Sequence, residues 1–322
     1  MENNRLSVNQ AVFSIVLFNF GSSVVMGIST CLAQDTLLAI FTATLFALPL
    51  FLIFARIMKL FPEQDIFEII ETLFGKVLGK LIIALLAFYA IHLAALVLRN
   101  FTEFTQVSMM EKTPQLPIII LMGLTAIYLA RSNIHAIGKW AVLCFFLVLF
   151  VVMITFSASL RHIRLDDILP LAEHPPKQIF QNSLQIFSFP YGETVIFLSV
   201  ASAFPKGKSH HVFLKALIII LIIFLLVFLR NLVLLGQKMM EASLFPSYVT
   251  VRITEISDFV TRFEGLISSN FILAGIVKIS LCLLAAAKGV MALFQLDGHK
   301  AFVLPCGILA MALCAILFKS LM

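Results

Sequence analysis

Nine apolar runs, each close to the ~20 residues that carry an α-helix across a hydrocarbon core, leave this sequence little choice of fold. Hydropathy, punctuated by proline, glycine and charge, places them at 8–32, 36–58, 77–106, 115–131, 138–159, 178–203, 212–237, 264–292 and 300–319. Runs of this length exceed the ~10-residue alternating segments of an outer-membrane barrel. Of the 322 residues, 61% are hydrophobic and 12% charged, against roughly half and a quarter in soluble domains. The expectation is an all-α polytopic membrane protein, one transmembrane domain over 1–322. The first run extends past Cys31 and closes on no small-residue cleavage pattern, so it is expected to stay as a span.

The net charge of +6 belongs to topology and not to nucleic acid, because the bases sit in short connections and form no continuous stripe. Connections on the N-terminal side hold more lysine and arginine, among them Arg5, Arg56, Lys59, Lys206, Lys208 and Lys288, and this predicts a cytoplasmic N-terminus. The other side carries most loop acids, such as Asp35, Glu173, Glu255 and Asp258. The five cysteines (Cys31, Cys144, Cys282, Cys306, Cys314) lie in or at the ends of apolar runs with no metal-ligand spacing. They are expected to pack, with no metal and no disulfide. Phosphate-loop, HExxH and GxSxG signatures are absent from the sequence, so neither an enzyme nor a cofactor is expected.

The sixth run contains Ser188-Phe189-Pro190-Tyr191-Gly192-Glu193-Thr194-Val195. Pro190 disfavours helix at Phe189 and lacks an N–H, and Gly192 admits backbone closed to other residues. About 11 residues lie on each side, which puts a break near the middle of a ~30 Å core, where unwound backbone must face protein or a wet cavity. Run one carries a comparable interruption at Gly21-Ser22-Ser23, whose hydroxyls can bond freed backbone or a ligand. Runs one and six are five apart and cross in opposite directions. Discontinuous helices at matched places in inverted halves point to a transporter-type site between them. The repeats would be 1–159 and 178–319. A five-plus-five bundle asks for ten helices and nine are found, so either the tenth is absent from this chain or the repeat is misassigned.

Glu193 opens the second half of run six, where helix N–H groups favour an anion. An ionisable group at mid-membrane is read as functional: a contact for a ligand ammonium, a proton carrier or half of a gating pair. The structural alternative is a bond to the unwound strand. Lys278, in the middle of run eight, either occupies the place of a coupling cation, pairs with Glu193 or snorkels to an interface. Tyr89 and His92, one turn apart, can line a pocket or simply pack, and Arg230 receives no role. Two connections are expected to be helical. One is an amphipathic stretch at 63–74 with Ile66, Ile69, Ile70 and Leu73 on one face; the other is a hairpin over 248–264 with Val249, Ile253, Ile256 and Val260 at helical spacing.

Several segments together resemble the spore germination permease family, the B subunits of germinant receptors within the amino acid-polyamine-organocation superfamily. They are SFPYGE in run six, Phe-Pro-Ser-Tyr through Ile256-Ser257-Asp258-Phe259 to Arg262-Phe263-Glu264, Gly275-Ile276-Val277-Lys278-Ile279-Ser280-Leu281, and Ala95 to Phe104. The resemblance implies a LeuT-like fold and nutrient sensing, of amino acids for example, in the spore inner membrane beside an A subunit and a lipoprotein C subunit. It also implies a ligand pocket at Gly21, Ser22, Tyr89, Phe189, Gly192 and Ser280. Ser23, Tyr191 and Glu193 join that set from their place in the two interruptions. Members of the family have a tenth span. The alternative function is a proton-coupled amino acid transporter, with Glu193 or Lys278 carrying the proton.

Overall fold

A computed structural model describes residues 5–28, 32–110, 112–160, 170–253 and 260–317. Ten α-helices are found among them. They are α1 (Val8–Met26), α2 (Thr36–Leu60), α3 (Ile66–Ser108), α4 (Gln115–Ser132), α5 (Ile134–Ser159), α6 (Pro176–Ser188), α7 (Ser209–Ala242), α8 (Pro246–Ile253), α9 (Val260–Phe294) and α10 (Lys300–Leu317). A 3-10 helix over Tyr191–Ala203 continues α6 after a break, and a single 3-10 turn, Ala33–Asp35, precedes α2. Among the described residues, seven segments are long and apolar enough to cross a membrane, and Lys300–Ile316 is a shorter apolar helix. Cys31, the stretch Ile256–Phe259 and residues 318–319 of run nine lie outside the described residues.

Local signals set the helix starts. Ser7 and Gln10 cap α1 reciprocally, Asp65 and Glu68 do the same for α3, and the Asn133 side chain accepts from Ala136 N at the start of α5. Each such cap contributes about 1 kcal/mol. The α1 helix is the centre of the bundle: Ala11, Val12, Ile15, Leu17 and Phe18 are all wholly buried. It packs on α5, α7 and α9, and α9 packs most extensively on α3. Small residues allow these close approaches. A Cβ on Gly275 would stand 2.7 Å from the Phe101 ring of α3, so only glycine fits there. Outward faces carry Leu45, Val77, Leu85, Leu121, Phe150 and Ile222, all exposed, as a lipid-facing surface requires.

The amphipathic stretch forms as the first arm of α3. Gly75, at φ 71°, turns the chain from that arm into the span, in a left-handed conformation that a side chain would strain. Within the bundle the buried residues of this arm are Phe67, Ile69 and Ile70, whereas Leu73 is exposed. The helical hairpin appears in part, as α8 and the start of α9; residues 254–259 between them lie outside the described set.

The expected interruption of run one is not found. Gly21, Ser22 and Ser23 continue the helix, which ends at Met26 before Gly27 (φ 90°). An internal glycine costs a helix only about 1 kcal/mol, and Gly21 lies in ordinary van der Waals contact range of the α9 backbone, where a Cβ would stand 3.6 Å from Ala274 O. Run six is broken where expected. Its second half is a 3-10 helix and not an α-helix, with Thr194 and Ser199 hydroxyls donating back to Tyr191 O and Ile196 O at 2.6 Å. Gly192 supplies no special backbone. It has no positive φ, and a Cβ there would meet only Phe187 O at 3.6 Å.

Candidate functional site

The break in helix six positions the chemistry. After α6 ends at Ser188, Phe189 is extended (φ −132°, ψ 113°) and Pro190 starts the 3-10 helix. With three residues per turn, Glu193, Ile196 and Ser199 fall on one stripe before the kink at Val200. Glu193 is thereby turned toward the middle of α9, where Lys278 Nζ donates to Glu193 Oε2 at 2.5 Å. The Lys278 side chain is wholly buried and that of Glu193 is 10% exposed.

Removing two opposite charges from water costs several kcal/mol each, which their mutual attraction offsets only with good geometry and additional partners. Aromatic faces supply those partners. Lys278 Nζ lies 4.7 Å from the ring centroid of Phe18 on α1 and 5.3 Å from that of Phe189. One ammonium therefore joins α1, the broken helix and α9. Lys278 is thus paired with Glu193, and its burial excludes snorkelling to an interface.

The remaining sequence-selected residues are distributed around this pair. On α1, Gly21 abuts Ala274 and Gly275, one turn before Lys278 in α9. Ser22 and Ser23 are buried, and their hydroxyls have no hydrogen-bond partner among the described residues. Tyr89 on α3 is partly buried and shares a cavity of about 20 Å³ with Val195, Ile196, Ser199 and Ala285. Two residues are turned elsewhere. Tyr191 shares a hydrogen bond of 2.8 Å with Thr44 of α2 and packs against Phe51 and Phe224. Ser280 donates to Ala126 O of α4 at 3.1 Å and to Ile276 O at 2.6 Å. Both act in this arrangement as ties between helices.

Sequence reasoning passes over Asn19. It is wholly buried, its amide nitrogen donates to Ile15 O at 2.8 Å, and Oδ1 has no partner among the described residues. Asn19 stands three and four residues before Ser22 and Ser23, so all three share a helix face. That spacing is the signal that would have found it. Buried polar atoms are nearly always bonded, and these three oxygens on one stretch of α1 have no partner among the described residues. The same helix presents Phe18 to the Lys278 ammonium, so α1 carries both these unpaired oxygens and a contact to the buried ion pair.

A sequence profile of the family described as "Spore germination protein" matches residues 5–320. The chain belongs to this family. It is 25% identical to spore germination protein KB of Bacillus subtilis (strain 168), over 96% of this chain and 84% of that protein. Among solved structures it is similar to Mhp1, a nucleobase-cation-symport-1 family transporter in a closed conformation with bromovinylhydantoin bound, at a TM-score of 0.66 and 13% identity. That match covers 98% of this chain and 73% of the transporter. The fold of this spore germination protein is thus that of the LeuT-like transporters, and the chain is a multi-pass membrane protein of germination-receptor or permease type.

Proposed function

We propose that the chain is the germinant-sensing subunit of a spore nutrient receptor, lying in the spore inner membrane with its N-terminus in the cytoplasm. A small nutrient, an amino acid in this reading, binds between helix one and the broken helix six and biases a conformational equilibrium that partner subunits detect. Those partners are an A subunit and a lipoprotein C subunit. The division into inverted halves, 1–159 and 178–319, belongs to the same reading. The observation that carries it is the unsatisfied polar face of α1 (Asn19, Ser22, Ser23), on the helix whose Phe18 packs over the buried Lys278 of the Glu193–Lys278 pair. Such a lining costs stability unless a ligand completes it. The decisive measurement is the nutrient dose response of spores carrying the full receptor. Ser22→Ala with Ser23→Ala should move the dose for one nutrient at least tenfold, and an unchanged response would refute the site.

The buried ion pair favours a second reading, a proton-coupled amino acid transporter, because an acid bonded to a buried amine is a place where protonation and conformation are coupled. Proteoliposomes containing this chain alone separate the two. Proton-gradient-dependent accumulation of labelled alanine establishes transport; binding without accumulation leaves sensing.

A further inference from the structure

The end of the bundle that holds the N-terminus contains a cleft of about 350 Å³, within the size range of small-molecule sites. It lies where the segment before α1, the end of α2, the turn into α3, the end of the 3-10 helix and the start of α7 converge. Three cations line it, Arg5, Lys59 and Lys206, with a single carboxylate, Glu63. Arg5 and Lys206 are both drawn onto Glu63 as ion pairs. Lys59 is exposed, and no ion pair engages it among the described residues. Met58 and Phe204 form an apolar wall.

A second feature gives the cleft a direction. At 100° per residue, Phe41, Leu45, Leu52, Arg56 and Lys59 of α2 fall within about 60° of one another on the helix surface. All five are exposed, so a lipid-facing apolar track on α2 leads to two cations and into the cleft. Anionic phospholipid has this pattern in its own chemistry: a phosphate for the guanidinium and ammonium groups and acyl chains for the track. A free phosphate would use the cleft and leave the track irrelevant.

We propose that the cleft binds the phosphate headgroup of an anionic phospholipid, whose acyl chains lie along α2. Glu63 is the internal competitor. It occupies Arg5 and Lys206 when lipid is absent and yields them when a headgroup enters. Because Arg5 precedes α1 and Lys206 follows the 3-10 helix, lipid occupancy reports on the two helices that frame the central site.

The test is native mass spectrometry of the purified full-length chain with phosphatidylglycerol or phosphatidylcholine of identical acyl chains. Phosphatidylglycerol should be retained preferentially. Lys59→Gln should weaken it about fivefold, the effect of one basic residue at an anionic surface, and Arg5→Gln with Lys206→Gln should weaken it further. Glu63→Gln carries the opposite sign, a tightening of similar size, which a purely structural ion-pair cluster would not produce. Thermal unfolding of each variant without lipid confirms that it is folded, and Lys59→Gln, which breaks no ion pair, keeps the test valid if the Arg5 variant is not. Equal retention of the two lipids, or looser binding in Glu63→Gln, overturns the proposal. Complete displacement of phosphatidylglycerol by millimolar glycerol 3-phosphate overturns the lipid source in favour of a soluble phosphate.

Discussion

Lys278 and Arg230 are both buried cations, and they are held by different means. Lys278 has a carboxylate at 2.5 Å and two aromatic faces. Arg230, 3% exposed on α7, has neutral acceptors: Thr155 Oγ1 at 2.8 Å from Nη1, and Asn231 Oδ1 at 3.1 and 2.8 Å from Nε and Nη2. The two sites therefore respond to substitution in opposite ways. Glu193→Gln or Lys278→Met strands a buried charge, and each should destabilise the protein by about 3–5 kcal/mol. The double variant replaces the pair by uncharged groups and should recover most of that loss; thermal unfolding of the purified chain measures it, and additive losses would mean that the two residues do not form an energetic pair. At the second site, Arg230→Met removes a charge without a counter-ion among the described residues and should leave stability unchanged or higher. Asn231→Ala instead removes the acceptor of two guanidinium bonds and the donor to Ser247, and should cost about 2–3 kcal/mol. A larger loss for Arg230→Met than for Asn231→Ala would show that the guanidinium has an anionic partner.

Helices one and six show what an element owes to its own residues and what it takes from its neighbours. The break in helix six is legible because Pro190 acts locally: it removes a donor and restricts Phe189 wherever the segment is placed. The expected break in helix one fails because Gly-Ser-Ser carries no such obligation. These residues stay within the continuous helix Val8–Met26, with Gly21 against the α9 backbone at Ala274. The 3-10 character of Tyr191–Ala203 is likewise hidden, since it depends on the hydroxyl back-bonds of Thr194 and Ser199 and on tertiary ties such as Tyr191 to Thr44 and Ser202 N to Asp65 Oδ1. The presence of Glu193 and Lys278 in the membrane is legible from hydropathy, whereas the pairing depends on the threefold stripe that the 3-10 helix creates. Their roles differ from that of the α1 hydroxyls in one measurable respect. The Ser22 and Ser23 hydroxyls have no partner among the described residues, so Ser22→Ala and Ser23→Ala should be neutral or stabilising by a few tenths of a kcal/mol each, because an unbonded buried hydroxyl is itself a cost. A clear loss of melting temperature in either variant would reveal a protein partner for the hydroxyl and remove α1 from the ligand site.

Across the whole molecule, helices one and six are gathered at the N-terminal end by interactions that converge on one short turn. Leu6 N donates to Ala203 O at 2.8 Å, Glu63 takes Arg5 and Lys206, and Asp65 takes Lys288 Nζ at 2.6 Å and Ser202 N at 2.8 Å. Two carboxylates of the α2–α3 turn thus connect the start of α1, the end of the 3-10 helix, α7 and α9. Glu63 can be isolated by pH. The Lys206 ammonium, with the Arg5 guanidinium, holds its carboxyl below the usual 4.5. A carboxyl whose pKa is lowered on folding contributes stability that is fully present above its unfolded value and lost as pH falls through the folded one. The contribution is small, because the group is exposed and screened. The informative quantity is the difference in melting temperature between the native chain and Glu63→Gln, which cancels the titration of every other group. That difference should be constant from pH 7 to about 5, vanish as pH falls below the folded value of Glu63, and shrink at 1 M salt, where the Debye length is about 3 Å. A gap that persists unchanged at pH 3 would mean that neutral Glu63 holds the turn equally well and that the ion pairs do not fasten helices one and six together.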